Sequence, residues 1–124
     1  MSSSQVHRIT YFKIADAEAQ EKLLAMYKNL QSGARKVSET HGDKRRLIKL
    51  TPAKQGEPYI ISAEAGRIVQ DPRNQGFNIA AKTTFASMDD FEFYDKQCPA
   101  HKSLRSYAAS VNQGSMMVFF QSVV

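Results

Sequence analysis

The chain has 124 residues, of which 42% are hydrophobic and 23% charged, and its formal net charge is +5. This length and composition predict one folded domain and exclude a disordered chain, and no apolar run reaches the roughly 18 residues that span a membrane. The first residues lack the basic and apolar regions of a signal peptide, and the lone Cys98 has no internal disulfide partner, so we expect a reducing location, the cytoplasm.

The start of the sequence predicts a strand followed by a helix. In residues 6–14 the apolar positions do not alternate regularly, which is typical of a strand covered on both faces. They are Val6, Ile9, Tyr11, Phe12 and Ile14. Asp16 is placed to cap a helix whose apolar residues recur at helical spacing, namely Leu23, Tyr27, Leu30, Ala34 and Val37. We expect this helix to end at Ser32-Gly33 or to continue to about Thr40, with Gly42-Asp43 as its limit.

The excess positive charge lies in the segment that follows the helix. Seven Lys or Arg residues and two acidic residues lie between Arg35 and Lys54, whereas the rest of the chain balances ten cations against ten acids. A groove for single-stranded nucleic acid places aromatic side chains among its cations, and this segment contains no Phe, Tyr or Trp. We interpret it as a solvated surface and expect no nucleic-acid partner, with contact to another polyanion as the alternative.

The second half of the sequence predicts a hairpin, two helices and a last strand. Residues 59–69 and 77–86 have strand character and flank the turn formers of residues 71–76. Ser87 opens a Ser-x-x-Asp capping pattern for a helix with Phe91 and Tyr94 inward, and Pro99 must close or kink that helix. A further helix stops at Asn112-Gln113-Gly114, and residues 116–124 predict a nearly continuous apolar strand.

The resulting order, β-α-β-β-α-β, predicts a ferredoxin-like α+β subunit, in which a four-stranded antiparallel sheet carries its helices on one face. We expect residues 1–5 to form a disordered tail and residues 6–124 a single domain with a basic insertion at about 31–57. The first and last strands are apolar on both faces, so a monomer would leave about eight large apolar side chains exposed to water. Burial of each would contribute about 1.5–3 kcal/mol of stability. The sequence therefore predicts a homodimer whose two sheets form a shared barrel.

Three segments resemble the stress-responsive A/B barrel (Dabb) family. They are VHRITYFK at residues 6–13, TFASMDDF at residues 84–91 and CPAHK at residues 98–102. The resemblance covers about residues 6–30 and 59–124, and it implies a dimeric α+β barrel. The family includes stress proteins without established chemistry as well as plant polyketide cyclases, and the fold alone does not choose between these functions.

Resemblance to the cyclases of that family implies a set of catalytic residues. The histidine of the Pro-Ala-His motif, His101, would be the general base of an aldol closure, with Tyr94 and Tyr27 assisting. Alignment on Phe12-Lys13 places Arg8 where the cyclases carry a histidine and turns His7 to the opposite sheet face. We expect His101 to lie half-buried at the flank of its helix, and a structural role at the turn after Pro99 is the alternative.

Aromatic side chains and one histidine are candidates for lining a flat cavity, although the same spacings suit a plain core. These ligand-binding candidates are Tyr11, Phe77, Phe85, Phe120 and His7. No histidine pair has the spacing of a metal site, and the glycine motifs of nucleotide cofactors are absent, so we expect neither a metal nor a cofactor. The protein is thus predicted to bind a small apolar or aromatic ligand without catalysis. The alternative is a cofactor-independent polyketide cyclase or lyase with His101 as its base.

Overall fold

The computed structural model describes residues 5–36 and 57–123. The elements in chain order are β1 (Val6–Phe12), α1 (Ala17–Lys28), α2 (Leu30–Gly33), β2 (Arg35–Lys36), β3 (Glu57–Pro58), β4 (Ile60–Arg67), β5 (Ile79–Phe85), α3 (Met88–Lys96), α4 (Pro99–Val111) and β6 (Ser115–Gln121). Within these residues, no helix has the length and apolar character needed to cross a membrane. The predicted tail and most of the predicted basic insertion lie outside the described residues.

Four strands form one antiparallel sheet in the order β4-β5-β1-β6. This topology confirms the predicted ferredoxin-like α+β fold. The central strand β1 places Val6 opposite Phe85 of β5 and opposite Gln121 of β6. Alternate residues of β1 are buried against the helices, which shows that the helices cover one face of the sheet. The sequence did not predict the separate two-stranded pair formed by β2 and β3.

The first helix begins where the sequence predicted but ends earlier than its longest predicted extent. Asp16 caps α1, because its carboxylate accepts a hydrogen bond of 2.8 Å from the backbone N–H of Ala19. The helical segment ends at Gly33, Ala34 is extended, and β2 follows at once. The end at Ser32-Gly33 is therefore confirmed, and the alternative of a helix that continues to about Thr40 is wrong. Gly42-Asp43, given as the outer limit, lies outside the described residues. Val37 lies outside the described residues.

Two capping features set the boundaries of α3 and α4. The hydroxyl of Ser87 accepts a 3.2 Å hydrogen bond from the backbone N–H of Asp90, which starts α3 as predicted. The break at Pro99 is also confirmed, because α3 ends at Lys96 and Pro99 is the first residue of α4. Proline suits a first helical position, where its missing N–H costs no hydrogen bond, and it keeps the preceding Cys98 extended.

The core fills the space between the sheet and its helices. Its largest fully buried apolar or aromatic side chains are Tyr27, Tyr94, Phe85, Ile14, Leu23, Ile79, Leu104 and Val6. The end of β1 is tied to the hairpin by Asn78, whose side-chain oxygen accepts from the N–H of Ile14 at 3.0 Å. The amide nitrogen of Asn78 donates to the carbonyl of Ile14 at 2.8 Å. These two hydrogen bonds fix the register of the strands that present the polar cluster described below.

The outer face of the sheet carries an apolar strip on β1 and β6. His7, Ile9 and Tyr11 point to this face, and they pair with Phe120, Val118 and Met116 respectively. On the edge strand β6, Met116, Val118 and Phe120 share this face and are 46–48% exposed. Met117 and Phe119 point to the helix side, where the Phe119 ring lies 4.2 Å from the Phe91 ring. A contiguous exposed patch of this kind is typical of an interaction surface.

Candidate active site

A cluster of buried polar side chains lies between the sheet and the helices. The five residues come from four elements and are at most 7% exposed, namely Arg8 and Thr10 of β1, Tyr27 of α1, Tyr94 of α3 and His101 of α4. The alternation of β1 explains the first two, because even-numbered residues of that strand face the helices. Polar groups are costly to bury, so a cluster of them in one place suggests a functional site.

His101 is held in one tautomer by the backbone. Its Nδ1 lies 2.8 Å from the carbonyl oxygen of Tyr94, and because a carbonyl only accepts hydrogen bonds, Nδ1 carries the proton and donates. The other ring nitrogen, Nε2, therefore keeps a free lone pair, and it has no hydrogen-bond partner among the described residues. The imidazole also stacks on the Tyr94 ring, with 3.8 Å between the ring centroids.

The expectation that His101 lies half-buried is wrong, since its exposed fraction is 3%. The reason is the side on which α4 packs against the rest of the protein. The buried residues of this helix are His101, Leu104 and Ala108, at spacings of three and four, whereas Ala100 lies at the flank. His101 therefore lies at the centre of the buried face and not at its flank.

Burial and a neighbouring charge control the protonation states in the cluster. Burial, followed by the positive charge of Arg8, lowers the pKa of His101 to about 4, so the imidazole is neutral at neutral pH. Burial raises the pKa of Tyr27 to about 12 and raises the pKa of Tyr94 further. Both phenols therefore keep their protons and are available as hydrogen-bond donors.

Arg8 is the charged member of the cluster and makes few strong contacts. Its Nη1 donates to the Thr10 hydroxyl at 3.1 Å, and its Nη2 lies 3.6 Å from a carboxylate oxygen of Asp95. The guanidinium carbon lies 5.2 Å from the centroid of the Tyr94 ring. The Nε of Arg8 and the hydroxyl of Tyr94 are buried without a hydrogen-bond partner in the residues that the structure describes.

Sequence reasoning named Arg8 only as the residue that replaces a histidine, and it missed Thr10 and Asp95 as neighbours of the site. The alternation of side chains along β1 could have revealed Arg8, because Val6, Arg8, Thr10 and Phe12 all lie on the inward face. The position of Asp95 follows from the packing of α3 and has no signal in the sequence.

Two cavities adjoin the cluster. A cavity of about 200 Å³ beside α3 and α4 is lined by Tyr94 and His101, by the acid Asp95, and by the cations Lys96, Lys102 and Arg105. Tyr27 lines a different and wider groove of about 610 Å³ between α1 and β4. The structure thus brings His101 and Tyr94 to one cavity, whereas Tyr27 lines the other.

The five ligand-binding candidates lie on two sides of the sheet. His7 and Phe120 are in contact on the outer face, with ring centroids 5.1 Å apart, and Tyr11 contacts Phe77 at 5.9 Å. Phe85 is instead fully buried on the helix side, where its ring lies 5.0 Å from the Tyr94 ring. A role of these residues in ligand binding stays a prediction.

In the described ranges, 5–36 and 57–123, no group of three or more His, Cys, Asp or Glu side chains is arranged to hold a metal ion. The polar groups that converge on the cavity are instead a neutral imidazole, a phenol and several charged side chains. This set can accept a proton and donate hydrogen bonds to an oxygen atom.

Comparison with known proteins identifies the family. The sequence profile described as Stress responsive A/B Barrel Domain (Dabb) matches residues 6–121, so the chain belongs to the stress-responsive A/B barrel domain family. It is 32% identical over 120 residues to a fusaristatin A biosynthesis cluster protein of Gibberella zeae. That alignment covers 96% of this chain and 74% of the relative.

Solved structures with low sequence identity share the fold. A hydroxynitrile lyase from Passiflora edulis matches with a TM-score of 0.67 at 14% identity, over 97% of this chain and 94% of that one. SnoaB, a cofactor-independent oxygenase from Streptomyces nogalater, matches with a TM-score of 0.56 at 10% identity, over 98% and 95% of the chains. A dimeric ferredoxin-like protein from a Jannaschia species matches at 0.65 and 10% identity, over 95% and 99%.

Proposed function

We propose that this protein is a cofactor-independent enzyme that removes a proton from a carbon next to a carbonyl group, as a cyclase or lyase acting on a polyketide-like substrate. The observation that carries this proposal is the fixed tautomer of His101. Its Nδ1 is bound to a backbone carbonyl, which leaves the Nε2 lone pair available as a base, and His101 is one of the residues that line the smaller cavity. The similarity to a biosynthesis cluster protein and the fold shared with a lyase and an oxygenase support this class of function.

The proposed step uses two groups with complementary roles. His101 Nε2 accepts the proton when the C–H bond breaks, and the electron pair moves to the carbonyl oxygen to form an enolate. The hydroxyl of Tyr94, which is buried without a partner among the described residues, donates a hydrogen bond to that oxygen. In a cyclase, the enolate carbon then attacks a second carbonyl of the same substrate, which closes a ring, and the proton on His101 passes to the new alkoxide.

Deuterium exchange into acetophenone in deuterated buffer tests this step without knowledge of the natural substrate. We expect the protein to accelerate exchange at the methyl group, and His101→Gln to reduce this acceleration by about 100-fold or more. Tyr94→Phe should reduce it as well, because it removes the donor to the enolate oxygen. His41→Gln, at a histidine with no assigned role, is the matched control. A folded His101→Gln variant that exchanges as fast as the unchanged protein would refute the proposal.

Ligand binding without catalysis is the second candidate function, and the same histidine favours it. A general base works best when its pKa is near the working pH, and a base with a pKa of about 4 is weak at neutral pH. One experiment distinguishes the enzyme from the binding protein. If acetophenone binds, as seen by broadening or shifts of its NMR signals, and no accelerated exchange occurs, the protein is a binding protein.

We propose that the functional unit is a homodimer formed through the outer face of the sheet. The exposed apolar residues of β6 supply the surface, and proteins of the same fold are described as dimeric. Val118→Asp should convert the dimer to a monomer in sedimentation velocity, because it places a charge within this surface. Val69→Asp, at an 82% exposed valine away from β6, is the control. An unchanged protein that sediments as a monomer would exclude the dimer.

We keep the cytoplasm as the proposed location. Cys98 is free and buried in the structure, and a core that contains a free thiol suits a reducing compartment. Fluorescence microscopy of the tagged full chain tests this proposal, and a signal confined to the secretory route would contradict it.

A further inference from the structure

Arg8 is a buried cation with an incomplete set of partners. Its side chain is 8% exposed, and its contact with the Asp95 carboxylate is 3.6 Å long. The exposed ion pairs Arg67–Glu21 and Arg73–Asp71 are much shorter, at 3.0 Å and 2.7 Å. The most deeply buried of these three arginines, for which an unpaired charge is most costly, thus has the longest ion pair.

The two nitrogens of Arg8 that lack a short contact, Nε and Nη2, lie along one edge of its guanidinium group. Nη1 donates one hydrogen bond to the hydroxyl of Thr10. Nε is buried without a partner among the described residues, and Nη2 has only the distant Asp95. Nε and Nη2 together form the edge that donates two parallel hydrogen bonds to a carboxylate in bidentate pairs.

The surroundings of this edge also favour an anion. Asp95 supplies the one acidic group near Arg8 in the described structure, and its side chain is 31% exposed and therefore partly solvated. Arg8 lies behind Tyr94 and Asp95, the two residues through which it adjoins the cavity of about 200 Å³ that they line. Three cations, Lys96, Lys102 and Arg105, also line this cavity. Arg105 donates to the backbone carbonyl of Asp95 at 3.2 Å rather than to its carboxylate, so it does not neutralise the acid. Positive charge therefore exceeds negative charge around the site.

We propose that the site takes a substrate that carries a carboxylate, and that the free Nε and Nη2 edge of Arg8 binds this carboxylate. This inference rests on the proposed function, because it names the substrate class of the same site. The carboxylate would be a part of the substrate that does not react, and its pairing with Arg8 would orient the carbonyl region toward His101 and Tyr94. Arg8 would then decide which substrates enter the site by their charge.

Benzoate and benzamide form a matched pair of probes that differ in charge and have nearly the same shape. Isothermal titration calorimetry on the full chain should show benzoate binding at least tenfold more tightly than benzamide, the effect of about one charge-assisted hydrogen bond. Arg8→Gln should remove this preference by weakening benzoate at least tenfold and leaving benzamide within about twofold. Arg67→Gln, at an exposed arginine, should change neither affinity. Equal affinities of the unchanged protein for both probes would overturn the proposal, whether or not the Arg8→Gln variant folds.

Two further variants, one at Arg8 and one at His101, distinguish a failure of this inference from a failure of the proposed function. Arg8→Lys keeps the positive charge and loses the planar edge, so it should keep a reduced preference for benzoate. Equal weakening of both probes by Arg8→Gln would instead assign Arg8 a structural role and overturn the inference. His101→Gln should abolish exchange into acetophenone and leave the preference for benzoate intact. If exchange proves independent of His101 while the Arg8-dependent preference persists, the proposed function fails and the anion site stands.

Discussion

Acidification should destabilise the protein through His101. The folded state holds this imidazole at a pKa of about 4, whereas the unfolded chain titrates at the ordinary value of 6.5. As the pH falls below 6.5, the unfolded state therefore binds a proton that the folded state does not, and stability is lost down to about pH 4. Between about pH 7 and about pH 5 this difference corresponds to a loss of about 2 kcal/mol.

Urea denaturation followed by far-ultraviolet circular dichroism, at one protein concentration and several pH values, measures this loss. His101→Gln removes the titrating group, so its free energy of unfolding should fall by about 2 kcal/mol less than that of the unchanged protein over the same pH range. Carboxylates contribute equally to both proteins, and the comparison cancels them. Parallel pH profiles for the two proteins would refute the buried, neutral imidazole on which the proposed site depends.

Three further substitutions test the contacts that hold the strands and helices around the site in place. In each case the measurement is the change in the free energy of unfolding in urea. Asn78→Ala removes both hydrogen bonds to Ile14 and should cost about 1–3 kcal/mol; a loss below about 0.5 kcal/mol would show that water replaces them. Phe85→Ala should cost about 3–5 kcal/mol because this ring is fully buried against Tyr94, and a near-neutral effect would contradict that packing. Asp16→Ala should cost about 1 kcal/mol through loss of the α1 cap, whereas Asp16→Asn should retain most of it.

Local chemistry made most of the fold predictable from the sequence. The caps at Asp16 and Ser87 and the break at Pro99 depend on side chains within a few residues of the boundary, and the structure has all three. The order of strands followed from the order of elements and a small set of allowed topologies. The choice between the two predicted ends of the first helical segment could not be made in the same way. It depends on the pairing of β2 with β3, whose strands are separated by residues 37–56 in the sequence.

The candidate site was predictable only in part. His101 and Tyr94 were named through a motif, but the depth of His101 was misjudged because a shift of one residue moves a side chain about 100° around a helix. The ion pair of Arg8 with Asp95 joins a strand to a helix 87 positions later in the sequence. Such a contact is created by packing, and neither spacing nor composition indicates it.

The most direct test of the account is the pKa of His101, followed by NMR of its ring protons, in the free protein and with saturating benzoate. The groups that act on this imidazole are Arg8 from β1, Tyr94 and Asp95 from α3, and Arg105 from α4. We predict a pKa of about 4 in the free protein and a higher pKa with benzoate, because burial lowers the pKa in both states and the anion offsets the second cause, the charge of Arg8. In Arg8→Gln, benzoate should cause no such rise. A free-protein pKa near 6.5, or a value that benzoate leaves unchanged, would contradict the account.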